Sequence, residues 1–199
     1  IVEITDKCNF KCKHCFANKN DFELKVSSWK KIFDNVCKEK IQSITITGGE
    51  PLIQQEADEL ITKLVDAGFD VSVETNGSVG FTTMGWYMNQ YPNAWVCIDY
   101  KCNYSGMSDK MLPIEKFQQL RENDVLKFVV AKEDFPQALD IITKVREVNP
   151  LVKIYLSPVF GEIDPRDIVQ FMKDNSLQGN IKLQLQMHKF IWDPNLRGV

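Results

Sequence analysis

Ile41-Gln42-Ser43-Ile44-Thr45-Ile46-Thr47-Gly48-Gly49-Glu50-Pro51 is the stretch from which the fold can be read. Isoleucine and threonine alternate here, and both are stiff at χ1, so 41–47 is predicted to be a strand. Two glycines and a proline then stop it. Residues 54–67 follow with Leu60, Ile61, Leu64 and Val65 at helical spacing, and Gly68 offers a left-handed stop. A strand, a glycine loop and a helix thus form one unit, and the unit recurs on both sides.

Upstream, 1–5 is predicted to be a strand. Ser27 or Ser28 can cap a helix reaching about residue 40, with Trp29, Ile32, Phe33 and Val36 on one face. Downstream, a strand over 69–75 ends at the Asn76-Gly77 turn, and a helix is expected over 82–90. A strand over 94–99 leads into a loop over 101–112, a helix over 114–122 and a strand over 125–130. Asp134 caps a helix to 148, with Pro136 in its first turn. A strand over 152–157 precedes a helix that Asp164, Pro165 and Asp167 open and that runs to about 173. The last strand covers 181–186, and 187–199 is a tail. Alternating β and α units imply a parallel sheet with helical crossovers. Seven strands exceed a flavodoxin-like sheet and fall short of a closed eight-fold barrel. The expected architecture is α/β: an open, incomplete (β/α) barrel of six to seven parallel strands in one domain over 1–199. Ligands in such a barrel sit at the C-terminal ends of the strands.

Composition narrows the function. A chain of 199 residues with 44% hydrophobic content can bury one sizeable core. A net charge of -3 gives no basic surface for nucleic acid. No apolar run has membrane length, and no signal peptide opens the chain. Three of the six cysteines crowd into Cys8-Asn9-Phe10-Lys11-Cys12-Lys13-His14-Cys15, which argues for a reducing cytoplasm and a metal rather than disulfides. Three thiolates on one side of a metal site leave a coordination position open, where chemistry can happen. A zinc site would want a fourth ligand, and His14 is poorly placed beside Cys15. Cys37 and Cys97 read as small core residues, and Cys102 lies in a loop.

The spacing C-x3-C-x2-C behind a first strand resembles the signature of radical S-adenosylmethionine (SAM) enzymes. The resemblance implies a [4Fe-4S] cluster on Cys8, Cys12 and Cys15 whose fourth iron takes the amino and carboxylate groups of SAM. One electron then splits SAM into methionine and a 5'-deoxyadenosyl radical. Gly48-Gly49-Glu50-Pro51 resembles the motif that receives the methionine amino group, although Glu50 can equally orient the loop through backbone hydrogen bonds. Glu74 and Asn76 point polar groups toward the same strand-end mouth, and Asp99-Tyr100-Lys101 offers an acceptor, a ring and a cation for SAM.

Further stretches resemble one family within that class, 7-carboxy-7-deazaguanine synthase. They are 99–107, 125–130, 155–161 and above all Gln184-Leu185-Gln186-Met187-His188-Lys189-Phe190-Ile191-Trp192, closing on Arg197-Gly198-Val199. The resemblance implies conversion of 6-carboxy-5,6,7,8-tetrahydropterin to 7-carboxy-7-deazaguanine, a precursor of queuosine, with hydrogen abstraction at C6, ring contraction, loss of ammonia, regeneration of SAM and help from Mg2+. Thr47, His188 and the carboxylate of Val199 are implied to contact the pterin, and the tail over 187–199 to close the mouth. An external electron donor such as flavodoxin and a homodimer are the implied protein partners. The family usually precedes its cysteines with a Gly-Glu-Gly loop and an arginine, and follows them with Asp and a Mg2+-binding Thr or Ser. This chain begins at Ile1 without the former, and holds Phe16 and Ala17 in place of the latter. Two other readings stay open: a radical SAM activase or peptide-modifying enzyme, and a non-catalytic iron-sulfur or zinc protein.

Overall fold

The computed structural model describes residues 1–15, 23–36, 41–79, 91–194 and 196. Seven strands, β1 (Val2–Thr5), β2 (Ser43–Gly48), β3 (Asp70–Thr75), β4 (Ala94–Tyr100), β5 (Val125–Val130), β6 (Lys153–Pro158) and β7 (Ile181–Leu183), form one parallel sheet in chain order. Among the described residues β1 and β7 are its two ends and do not pair, so the barrel is open as expected. The described helices are α1 (Val26–Val36), α2 (Ala57–Asp66), α3 (Phe135–Val148), α4 (Pro165–Asp174) and a single turn, α5 (His188–Ile191). The helix expected over 82–90, the end of the first helix and Cys37 lie outside the described residues.

Parallel strands covered by helices on both faces read as continuous apolar runs. These strands alternate instead. Ile44 and Ile46, Val71 and Val73, Val96 and Ile98, Leu126 and Phe128, and Ile154 and Leu156 face the helices and join one buried core with Leu60, Leu64, Ile142, Val145, Ile168 and Phe171. Thr45, Thr47, Ser72, Glu74, Asp99, Lys127 and Tyr155 occupy the opposite parity, on the concave face. The sequence therefore prepares one face for packing and leaves the other polar for a ligand. Cys97 shares this concave parity and is not the core residue expected, whereas Cys102 is buried in the main core.

Differences from the expected elements have local causes. The segment after Pro51 begins as a 3-10 turn, Pro51–Ile53, because the Glu50 side chain caps Leu52 N at 3.1 Å, and α2 starts only at Ala57. The helix expected over 114–122 is a 3-10 segment, Ile114–Gln119, whose Phe117 is fully buried. Asn149 Nδ2 donates to Phe117 O at 3.0 Å and Leu120 O at 2.8 Å, so side-chain bonds replace the missing helical turns. Asp124, also fully buried, accepts from Val96 N at 3.0 Å and Arg121 N at 2.7 Å, tying the approach to β5 onto β4. Asp164 caps α4 as expected, accepting from Arg166 N at 2.8 Å.

Phe117 fills the space between the 3-10 segment and Tyr100, at 6.0 Å between ring centroids. Phe117→Ala is expected to lower the unfolding free energy by about 3–5 kcal/mol, measured by urea titration.

Candidate active site at the C-terminal strand ends

The cysteine segment is held from three strand ends. From β2, Gly49 N donates to Thr5 O at 2.6 Å and Glu50 N to Lys7 O at 2.8 Å. From β3, Asn76 Nδ2 donates to Asn9 Oδ1 at 3.0 Å and to Cys8 Sγ at 3.4 Å, and Asn9 Nδ2 donates to Ser78 Oγ at 2.8 Å. From the loop after β4, Ser105 O accepts from Lys13 N at 3.0 Å and Met107 Sδ from Lys11 N at 3.3 Å. Phe10 is buried beneath the segment.

The glycines serve this seating. Gly48 has φ +139°, and a Cβ there would meet Thr5 O at 2.2 Å. A Cβ on Gly49 would meet Lys7 O at 2.3 Å and Asp6 O at 2.6 Å. The backbone that approaches these glycines is therefore the lead-in to the cysteines, a role the sequence alone did not distinguish from ligand approach.

Glu50 is fully buried. Its Oε1 accepts from Leu52 N and from Thr75 Oγ1 at 2.8 Å, and its Oε2 accepts from Asn76 N at 2.6 Å. Burial raises its pKa, opposed by these three hydrogen bonds and by Lys101. With both oxygens engaged, Glu50 is a strut joining the ends of β2 and β3. That is the loop-orienting alternative of the two read from the sequence. Asn76 likewise braces Cys8 and Asn9.

Strand parity puts the Tyr100 side chain on the core side. Its ring lies in the core, 5.1 Å from Phe128, and faces away from the mouth. Asp99 and Lys101 do face it, paired at 2.6 Å. Burial pushes Asp99 upward, but Lys101, Lys127 and His14 together hold its pKa below the ordinary carboxylate value, while Asp99 keeps that of Lys101 raised against burial. Asp99 Oδ1 is buried with no hydrogen-bond partner among the described residues. Thr47 Oγ1 donates to Glu74 Oε2 at 3.0 Å on the concave face. His188 starts α5 half-buried. Val199, Phe16 and Ala17 lie outside the described residues.

The site suits a cluster with three protein ligands. Cys8, Cys12 and Cys15 are free thiols. Cys12 is raised chiefly by burial; Lys101 lowers it, while Cys15, Asp99 and Cys8 raise it, so the three thiols share one electrostatic neighbourhood with the Asp99–Lys101 pair. Cys8 Sγ already accepts two N–H groups, from Phe10 N at 3.4 Å and from Asn76, the kind of outer contact that tunes cluster thiolates. Among the described residues no three Cys, His, Asp or Glu side chains are grouped about a single ion. A cube takes its thiolates at separate corners. Both His14 nitrogens are buried without partners, and its ring stacks on Tyr104 at 6.0 Å and 19°. Burial and then Lys101 lower the pKa of His14, which favours the neutral imidazole. Such orphaned polar atoms beside the thiols mark space for a polar cofactor.

The residues that brace the segment, Asn9, Ser78, Ser105 and Met107, were missed as functional positions. Asn9 lies inside the cysteine motif and Ser105 and Met107 inside the stretch 99–107, whereas Ser78 lies in none of the stretches singled out. Gly49→Ala is expected to displace the cysteine lead-in, cost about 1–3 kcal/mol of stability and lower the iron bound per chain after anaerobic reconstitution, as read by metal analysis.

Comparison with known proteins agrees with this geometry. Residues 2–83 match the radical SAM superfamily model. The chain is 39% identical to a 7-carboxy-7-deazaguanine synthase from Clostridium acetobutylicum, over 96% of this chain and 86% of the relative. It is 32% identical to one from Methanospirillum hungatei, over 94% and 74%. Among solved structures, Streptococcus suis SuiB bound to S-adenosylmethionine superposes with a TM-score of 0.73 at 16% identity, covering 99% of this chain and 52% of that one. QueE from Escherichia coli superposes with a TM-score of 0.58 at 20% identity, covering 92% and 81%. The chain thus spans about half the length of SuiB, and these two likenesses speak for the fold alone. Sequence identity over nearly the whole chain says more: the chain belongs to the 7-carboxy-7-deazaguanine synthase family of radical SAM enzymes, which use SAM and a [4Fe-4S] cluster.

Proposed function

We propose that the chain converts 6-carboxy-5,6,7,8-tetrahydropterin to 7-carboxy-7-deazaguanine with loss of ammonia. The observation that carries this reading is the 39% identity over 96% of the chain to a synthase of that name. The peptide-modifying alternative rests on the altered front end and on likeness to solved structures such as SuiB at 15–16% identity.

When bound, the cluster and SAM together supply a 5'-deoxyadenosyl radical for hydrogen abstraction. Cys8, Cys12 and Cys15 hold the cluster. Asn76 and the Phe10 amide donate to the Cys8 sulfur and so steady its charge. Asp99 Oδ1 and the Lys101 ammonium meet SAM, with Lys101 held charged by its 2.6 Å pair. Gly48, Gly49 and Glu50 keep the strand ends in register beneath it. Thr47 and Glu74, joined on the concave face, meet the pterin ring, as do His188 and Val199 in the tail. The tail from Met187 onward covers the mouth and excludes water, which limits side reactions of a radical. An external one-electron donor such as flavodoxin would supply the electron that the bound cluster needs, and the chain acts in the cytoplasm as a homodimer. No described helix is long and apolar enough to cross a membrane. Phe16 and Ala17 offer a cation no side-chain oxygen, so Mg2+ is not held after the third cysteine.

An anaerobic assay with reductant, SAM and carboxytetrahydropterin, read by mass spectrometry, is expected to yield the deazapurine, and Cys12→Ser to abolish it. Appearance of 5'-deoxyadenosine without deazapurine rejects the substrate while retaining the class. Replacing Mg2+ by Na+ in the same assay is expected to leave turnover unchanged.

A further inference from the structure

The concave face carries a row of side chains in register. Asp99 on β4 stands opposite Lys127 on β5, Lys127 opposite Tyr155 on β6, and Tyr155 opposite Lys182 on β7. Their sequence neighbours Leu126, Phe128, Ile154, Leu156 and Ile181 are buried on the helix side, which fixes the row on the concave side. Toward the strand ends, Val129 pairs with Ser157. Ser157 is fully buried, and among the described residues its hydroxyl has no hydrogen-bond partner; the same holds for the buried Gln184 Oε1 and Gln186 Oε1. From α5, Lys189 turns back over the Phe160 ring, its Nζ 5.2 Å from the centroid. Burial and then the charge of Lys127 lower the pKa of Lys189, so the two ammonium groups lie within electrostatic range of each other.

The charges do not balance. Asp99 faces Lys127, but its Oδ2 is already taken by Lys101. Lys101 and Lys127 thus share one carboxylate, Lys189 adds a third positive charge near Lys127, and neither Lys127 nor Lys189 has an ion-pair partner of its own among the described residues. Half-buried cations without counter-ions are costly, and an anionic ligand removes that cost. Bound SAM would take the end of the mouth nearest the cysteines, where the charged neighbours of Cys12 include Lys101 and Asp99. Lys127 stands one strand further on, beyond Asp99.

We propose that Lys127 and Lys189 hold the carboxylate of the tetrahydropterin substrate, with the Ser157 hydroxyl and Gln184 beside them as hydrogen-bond partners. This assignment rests on the pterin reading above. It makes the concave row the specificity surface for a carboxylated heterocycle, and it makes the turn at α5 the element that completes the site. Lys127 and Lys189 act as binding and positioning groups, with no proton transfer asked of them.

The test is calorimetric titration of anaerobically reconstituted protein with three ligands: carboxytetrahydropterin, the same tetrahydropterin without its carboxylate, and SAM. Lys127→Met is expected to weaken the carboxylated pterin about tenfold or more. Binding of the other two ligands is expected to stay within about twofold, and Lys127→Arg to retain the affinity. Lys189→Met, on the α5 turn outside the sheet, gives the same pattern if Lys127→Met perturbs folding. Equal losses for both pterins, loss of SAM affinity instead, or no loss in either variant overturns the assignment. Wild-type protein that turns over the carboxylated pterin while the variants bind it unchanged sinks this inference alone. Wild-type protein that neither binds nor turns it over sinks the pterin reading with it.

Discussion

Two carboxylate oxygens sunk between neighbouring strand ends hold the mouth of this barrel together. Glu50 takes Leu52 N, Thr75 Oγ1 and Asn76 N, and so fixes the tip of β2 against the tip of β3. Its own amide holds Lys7 O, and Gly49 holds Thr5 O. Asn76, aligned by that strut, reaches the Cys8 sulfur. One buried acid therefore sets the positions of Cys8 and of the loop beneath it. A buried carboxylate is expensive, and three donors are what make it tolerable here.

The design separates support from chemistry by strand parity. Residues of one parity meet α2, α3 and α4 and form the core. Residues of the other parity form a polar lining, with Thr47 and Glu74 on one side and Asp99, Lys127 and Tyr155 on the other. The cysteine segment lies across the rim and is braced by loops after β2, β3 and β4. Electrostatics follow the same partition. The Asp99–Lys101 pair influences the Cys12 thiol, whereas Lys127 pairs in register with Asp99 from the next strand.

Much of this was legible in the sequence because two periodicities differ. Alternation at 43–47 and 70–75 marked strands, and helical spacing at Leu60, Ile61, Leu64 and Val65 marked α2. The span 125–130 was read with the bounds β5 has. What failed had side-chain causes that no periodicity reports. The Glu50 cap postponed α2, and Asn149 stabilised a 3-10 segment where a helix was expected. At the site, the motif residues were visible by type, but their facing was not. Tyr100 turned into the core while Asp99 and Lys101 on either side turned out of it. Lys127 and Ser157 lie in stretches that resembled the family only as strands, and only the strand register brings them to the same surface.

The alternating parity of the strands has an evolutionary consequence. A side chain on the lining can be exchanged without opening a cavity in the core, and the struts that seat the cysteines lie in loops beyond the strands. Catalytic machinery and ligand choice can therefore drift at different rates. A scaffold of this kind can acquire a new small molecule by rewriting a handful of lining positions while its means of generating a reactive species stays fixed.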